Sequence, residues 1–245
     1  MKRIGNPSFL TKLLLTTNIL TIVLLVLISF NDHFPQRICS KLSGKQSEQN
    51  YTDNIYYAEL TAAYPLYTEQ KNIVMLGNSL TSFAEWTELL NRPDVANRGV
   101  GADVTAGFIS RLGNIISIKP KICFIEGGVN DLSIGVSQDV IIKNLTLIID
   151  TLQVNGIKPV LTTVTLVTKL YNKSSDLNEK IKYLNKKIIQ LAQEKNIKLI
   201  DLNQYVGNGN FLPSEYAIRD GIHFTAKTYL IWKQEVEKIL KEENI

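Results

Sequence analysis

Short apolar runs alternate with longer stretches of helical spacing along most of the chain. Ile73, Val74, Met75 and Leu76, stopped by Gly77, predict a buried strand. Residues 94–97, 121–126, 158–164 and 197–201 predict four more. Between them, residues 105–117 place Phe108, Ile109, Leu112, Ile115 and Ile116 on one face of a helix. Residues 136–154, 177–194 and 225–243 repeat that spacing, and Gly156 breaks the first of these three. An aromatic-rich stretch, residues 51–67, predicts a helix packed against the part that follows. Strands alternating with helices of this length imply a parallel sheet covered on both faces. Right-handed crossovers make it an α/β fold, a three-layer α/β/α sandwich with a flavodoxin-like sheet of about five strands. In such sheets ligands sit at the carboxyl ends of the strands.

The start of the chain follows a different rule. Residues 13–30 hold no charge, and Lys2, Arg3 and Lys12 precede them. As a helix this run would be about 27 Å long, against a hydrocarbon core of about 30 Å. It lacks a small-residue cleavage site, so an uncleaved signal anchor is expected over residues 1–30. Residues 31–70 then form a linker and packing segment, and residues 71–245 the main domain. The leading basic residues predict a membrane anchor with the domain outside the cytoplasm. Release after signal cleavage is the alternative.

Composition narrows the classes. Hydrophobic residues make up 44% and charged residues 20% of 245 positions, which fits one well-buried domain. Twenty-seven basic and 23 acidic residues leave a net charge of +4, too mild and scattered for a nucleic-acid partner. Cys123 lies in an apolar run and reads as a small core residue. Cys39 lacks the small residues that a lipidation signal needs before it. Nothing resembles a disulfide framework or a metal site. The chain has two histidines, His33 and His223, and only His223 belongs to the main domain.

The strand ends carry the candidate chemistry. Gly77, Asn78, Ser79 and Leu80 follow the first strand, and residues 97–103 follow the second. Gly127, Gly128, Val129, Asn130 and Asp131 follow the third. Asp220, Gly221, Ile222 and His223 precede the last helix. A serine at a strand-to-helix turn sits where backbone N–H groups favour negative charge. Serine needs an adjacent base, which His223 can be. Asp220 can hold the other ring nitrogen. Asn130 and the backbone around Gly101 and Ala102 offer donors for an oxyanion.

These blocks (GNSL, NRGVGAD, GVND and DGIH, in that order) resemble those of the SGNH, or GDSL-like, hydrolases. The form is similar to bacterial acylhydrolases of the platelet-activating-factor acetylhydrolase kind, over about residues 71–245. The resemblance implies a serine ester hydrolase without cofactor or metal. It implies Ser79 as nucleophile, His223 as base and Asp220 as the third triad member. Asn130 with Gly101 or Ala102 would line the oxyanion hole. Asn78 stands where the family has Asp, and Ala102 where it has the oxyanion glycine. Gly101 could take over that role by a one-residue shift.

The remaining motifs have simpler readings. Phe83 and Trp86 are expected in the core, Asp131 in a structural role, and Gly128 where backbones approach closely. Lys180, Lys182, Lys186 and Lys187 are expected on a solvated helix face. The loops after strands one and four are short, which predicts an open site for a small acyl group. The expected partner is a small acyl ester, on carbohydrate or lipid. Acyl transfer to an envelope glycan, or binding without catalysis, are the alternative functions. The sequence does not indicate an oligomeric state.

Overall fold

A computed structural model describes residues 54–207 and 209–245. The described part opens with helix α1 (Ile55–Ala63) and a 3₁₀ turn (Tyr64–Leu66). Strand β1 (Ile73–Gly77) follows, then the short helices α2 (Ser79–Ser82) and α3 (Trp86–Leu89), and β2 (Val95–Gly99). Helices α4 (Thr105–Ser110) and α5 (Leu112–Ile116) lead to β3 (Ile122–Glu126). Helices α6 (Val129–Ser133) and α7 (Gln138–Val154) lead to β4 (Lys158–Thr162). The long helix α8 (Ser174–Glu194), β5 (Lys198–Ile200), α9 (Asn203–Val206) and α10 (Ala226–Glu242) complete the fold.

All five strands pair in parallel, in the order β2-β1-β3-β4-β5. That is the flavodoxin-like order, with its switch point between β1 and β3. Side chains alternate across each strand. Val74, Leu76, Cys123, Ile125 and Leu161 face one core with α4, α5, α7 and α8. Ile73, Met75, Ile122, Phe124 and Val160 face the other, with Trp86, Trp232 and Val236. The three layers expected from the sequence are therefore present. Cys123 is buried and free, as its apolar neighbours predict.

Several boundaries differ from the pattern-based reading. The helix expected over residues 105–117 is two helices. Arg111 breaks it with φ −114° and ψ 11°, and its side chain turns inward to hold two strand-end carbonyls and the Asp103 carboxylate of the turn after β2. Helix α7 starts at Gln138, two residues later than its apolar pattern. Ser137 caps it by accepting from the Val140 N–H at 3.4 Å. Strand β4 ends at Thr162: the Thr163 N–H still donates to the Ile200 carbonyl of β5 at 2.9 Å, but the Val164 N–H turns to Asn185 Oδ1 of α8 at 2.9 Å. Among the described residues no helix is long and apolar enough to cross a membrane. The expected anchor over residues 1–30, Cys39 and the polar linker lie outside the described residues. Within the expected packing segment, Tyr57 and Tyr64 of the aromatic stretch bury against Val100.

Candidate active site

Ser79 begins α2 directly after β1. Asn78 caps the helix, its Oδ1 accepting from the Leu80 N–H at 2.8 Å. The turn is tight. A Cβ on Gly77 would lie 2.0 Å from Thr81 Oγ1 and 2.8 Å from the Glu126 carbonyl oxygen, so only glycine fits there. Asn78 is fully buried while Ser79 is partly exposed.

His223 Nε2 lies 2.9 Å from Ser79 Oγ. Its Nδ1 lies 2.5 Å from Asp220 Oδ2. The other Asp220 oxygen accepts from the backbone N–H groups of Ile222 and His223, each at 3.0 Å. Burial raises the Asp220 pKa, but these N–H donors and the imidazole outweigh it, and the carboxyl stays below its usual range. An ionised carboxylate on Nδ1 leaves Nε2 free to accept the serine proton. The segment is clamped from the β4 side. Gly221, at φ +82°, accepts from the Thr168 N–H at 2.8 Å, and a Cβ there would strike Thr168 Oγ1 at 2.6 Å.

The loop after β2 closes a turn in which the Asp103 N–H donates to the Val100 carbonyl at 3.2 Å. Ala102 holds the third position at φ +59°. Gly101 is not among the residues of positive φ, and space around it is open. The one-residue shift toward Gly101 is therefore not what the fold uses. Ala102 itself takes the left-handed conformation a glycine would favour. Asn130, in the first turn of α6, donates from Nδ2 to the Asp103 carbonyl at 2.9 Å. That leaves one of its two amide protons for another acceptor.

Beneath these groups lies a buried scaffold. Arg111 donates to Asp103 Oδ2 at 2.8 Å, to the Arg98 carbonyl at 2.8 Å and to the Gly77 carbonyl at 3.1 Å. One guanidinium thus ties the ends of β1 and β2 to the turn. Burial pushes the Asp103 carboxyl up to about 6 against the pull of Arg111. Asp131 accepts from the Thr105 N–H at 3.1 Å and from its hydroxyl at 2.6 Å, the structural role expected of it. Gly128 has φ +123°, and a Cβ there would lie 3.0 Å from Leu184 Cδ2. Among the described residues no group of His, Cys, Asp and Glu could hold a metal ion.

One expectation is overturned. Phe83 is not core: it is 60% exposed and its ring stacks on His223 at 4.8 Å between centroids. Trp86, three positions on, is buried as expected. Both are aromatic residues near the start of one helical stretch, and the pattern alone could not tell them apart. The Lys-rich face of α8 is solvated, with Lys182 on Glu179 and Lys187 on Asp139.

A model of the GDSL-like lipase/acylhydrolase family matches residues 60–231. The chain belongs to that family. A GDSL-like lipase from Bacteroides thetaiotaomicron shares the fold at a TM-score of 0.65, with 24% identity over 79% of this chain and 98% of that one. An acetyl-xylooligosaccharide esterase from Geobacillus does so at 0.59, with 16% identity over 70% of this chain and 94% of that one. An N-acylneuraminate cytidylyltransferase from Streptococcus agalactiae is 26% identical over 182 residues, 72% of this chain. The chain spans 40% of the length of that relative.

Proposed function

We propose that the protein cleaves short acyl esters, acetyl esters of carbohydrates above all, through a triad of Ser79, His223 and Asp220. The observation that carries this reading is the unbroken line from Asp220 to His223 Nδ1 at 2.5 Å and from His223 Nε2 to Ser79 Oγ at 2.9 Å. His223 takes the Ser79 proton as the oxygen attacks the ester carbonyl, and Asp220 steadies the imidazolium that forms. The Ser79 N–H, the Ala102 N–H and the unused Asn130 amide proton stabilise the oxyanion. His223 then protonates the departing alcohol. Water, activated by the same histidine, releases the acid.

The substrate class has separate support. Ser79 is partly exposed, while Ala102 and Asp220 are exposed, so the site is an open surface suited to an ester displayed on a larger molecule. A fold-sharing neighbour is an acetyl-xylooligosaccharide esterase, and the streptococcal relative is an N-acylneuraminate cytidylyltransferase. Acetylated N-acylneuraminates and acetylated xylo-oligosaccharides are accordingly the first sugars to offer. The apolar run over residues 13–30 supports a further part of the reading, a domain held at a membrane outside the cytoplasm. Protease accessibility in intact cells tests it.

The deciding experiment is Ser79→Ala with p-nitrophenyl acetate and the two acetylated sugars, together with labelling by a fluorophosphonate. Hydrolysis and labelling are both expected in the native chain and lost in the variant. Full activity in Ser79→Ala sinks the triad. Acetate appearing on a glycan acceptor rather than free in solution makes the enzyme a transferase.

A further inference from the structure

Polar groups collect beneath the Ser79 turn, where the ends of β1, β3 and β4 meet. Ile122 and Phe124 face the α10 layer, so the strand period turns Glu126 the same way. On β4, Val160 faces that layer and Thr162 follows suit, and Thr162 is the register partner of Glu126. Gly77 is its partner on the other side, immediately before Asn78. Glu126 is 2% exposed. Both its carboxyl oxygens, Asn78 Nδ2 and Thr162 Oγ1 are buried without a hydrogen-bond partner at bonding distance.

The charges around Glu126 offer it no relief. Asp131 of α6 acts on it as a like charge, and the Tyr229 hydroxyl of α10 lies within its field. Burial pushes the Glu126 carboxyl up to about 8, opposed chiefly by the Asn78 amide beside it. Asn78 is already committed on its other side, because its Oδ1 caps α2 through the Leu80 N–H. Its NH₂ is the end left for the carboxyl.

We propose that Asn78 and Glu126 form a matched amide–acid pair that positions Ser79, with Glu126 working as the neutral acid. This rests on the reading of Ser79 as nucleophile. While Glu126 is protonated, the amide faces an uncharged carboxyl and the turn above stays dry and fixed. Ionisation places an uncompensated negative charge under the cap of α2 and disturbs that turn. An Asp at 78 would keep the acceptor for Leu80 but aim its second oxygen at Glu126. Two acids would then share one buried space, and they cannot both ionise. The residue at 78 is thus matched to the residue at 126. Both are positioning residues, since they act through the turn that carries Ser79.

The test uses the full chain and three variants: Glu126→Gln, Asn78→Asp and the double swap. Turnover of p-nitrophenyl acetate is followed from pH 6 to 9.5, with fluorophosphonate labelling of each protein. Native kcat is expected to fall above about pH 8, the range in which Glu126 ionises, and the fall is expected to vanish in Glu126→Gln. Asn78→Asp should lose roughly tenfold in kcat at pH 7.5 with KM little changed, and the double swap should return to within about threefold of native. An unchanged alkaline fall in Glu126→Gln overturns the pair. So does a double swap no better than Asn78→Asp. Should Asn78→Asp fail to fold, the Glu126→Gln profile decides alone. Absence of labelling in the native chain overturns the Ser79 reading and this pair with it; labelling with an unchanged profile overturns only the pair.

Discussion

The exposed ring of Phe83 stacks on the imidazole of His223, 4.8 Å between centroids and 27° between planes. Phe83 follows α2, four residues after Ser79, and its N–H donates to the Ser79 carbonyl at 3.0 Å. One short turn therefore carries the hydroxyl and also one wall of the histidine whose Nε2 lies 2.9 Å from it. Phe83→Ala frees the imidazole on that side. We expect kcat/KM for p-nitrophenyl acetate to fall about three- to tenfold, the worth of one aromatic pair. Phe83→Tyr should restore most of it. Because the ring is exposed, the melting temperature should hardly move, and a loss of several degrees would show that Phe83 supports the fold instead.

Asp220 is the second control on His223. Asp220→Asn keeps the shape but can donate where the carboxylate only accepts. That favours the wrong tautomer of the ring, and turnover should fall by about 10³–10⁴. Steady-state kinetics on the folded variant checks this. A loss under tenfold would reduce Asp220 to a cap for the loop.

Arg111 tests the scaffold. Its side chain is 1% exposed and that of Asp103 is fully buried. Arg111→Met leaves the Asp103 carboxylate buried without its cation and removes one donor from each of the Gly77 and Arg98 carbonyls. Breaking such a pair costs about 3–5 kcal/mol, which urea denaturation would read directly. A cost below 1 kcal/mol would mean that water takes over the guanidinium's partners.

Ala102 holds φ +59°, a conformation that strains any residue with a Cβ. Ala102→Gly removes the strain but gives the unfolded chain more freedom. The net expectation is a gain of up to about 1 kcal/mol in denaturant stability with turnover preserved. A marked loss of turnover would show that the alanine methyl itself contacts substrate.

Glu126 also leaves a signature in stability. Burial pushes its carboxyl from about 4.5 up to about 8 in the fold. Between those values the folded protein holds a proton that the unfolded chain has lost. This group's contribution to stability therefore falls as pH rises from about 4.5 to 8 and is level above that. Glu126→Gln removes the dependence, so its stability relative to native should climb across that window. Denaturation curves that stay parallel from pH 5 to 8 would show that Glu126 is charged in the fold.

Much of this architecture is legible in the chain. Strand segments of four to seven residues with apolar centres and helices with a 3.6-residue period report local burial, and burial is what periodicity measures. Helix ends were less legible. Arg111 falls inside an apolar pattern, and its inward turn breaks the helix because two strand-end carbonyls and the Asp103 carboxylate take its guanidinium. The aromatics were ambiguous for the same reason. Nothing in the pattern separates Trp86, packed edge-on against Trp232, from Phe83, packed on His223.

The sequence by itself determined the layer architecture and the edge where the candidate residues Ser79, Asp220, His223 and Asn130 collect. Strand ends and turn residues are local features, and a parallel sheet delivers them all to one side. Only the tertiary structure decided that Ala102 rather than Gly101 takes positive φ, that Phe83 walls the histidine, and that the Glu126 carboxyl is buried at the end of β3 beneath the Ser79 turn. Those facts depend on which residues meet across strands tens of positions apart. Register and layer packing set such meetings, and no local period encodes them.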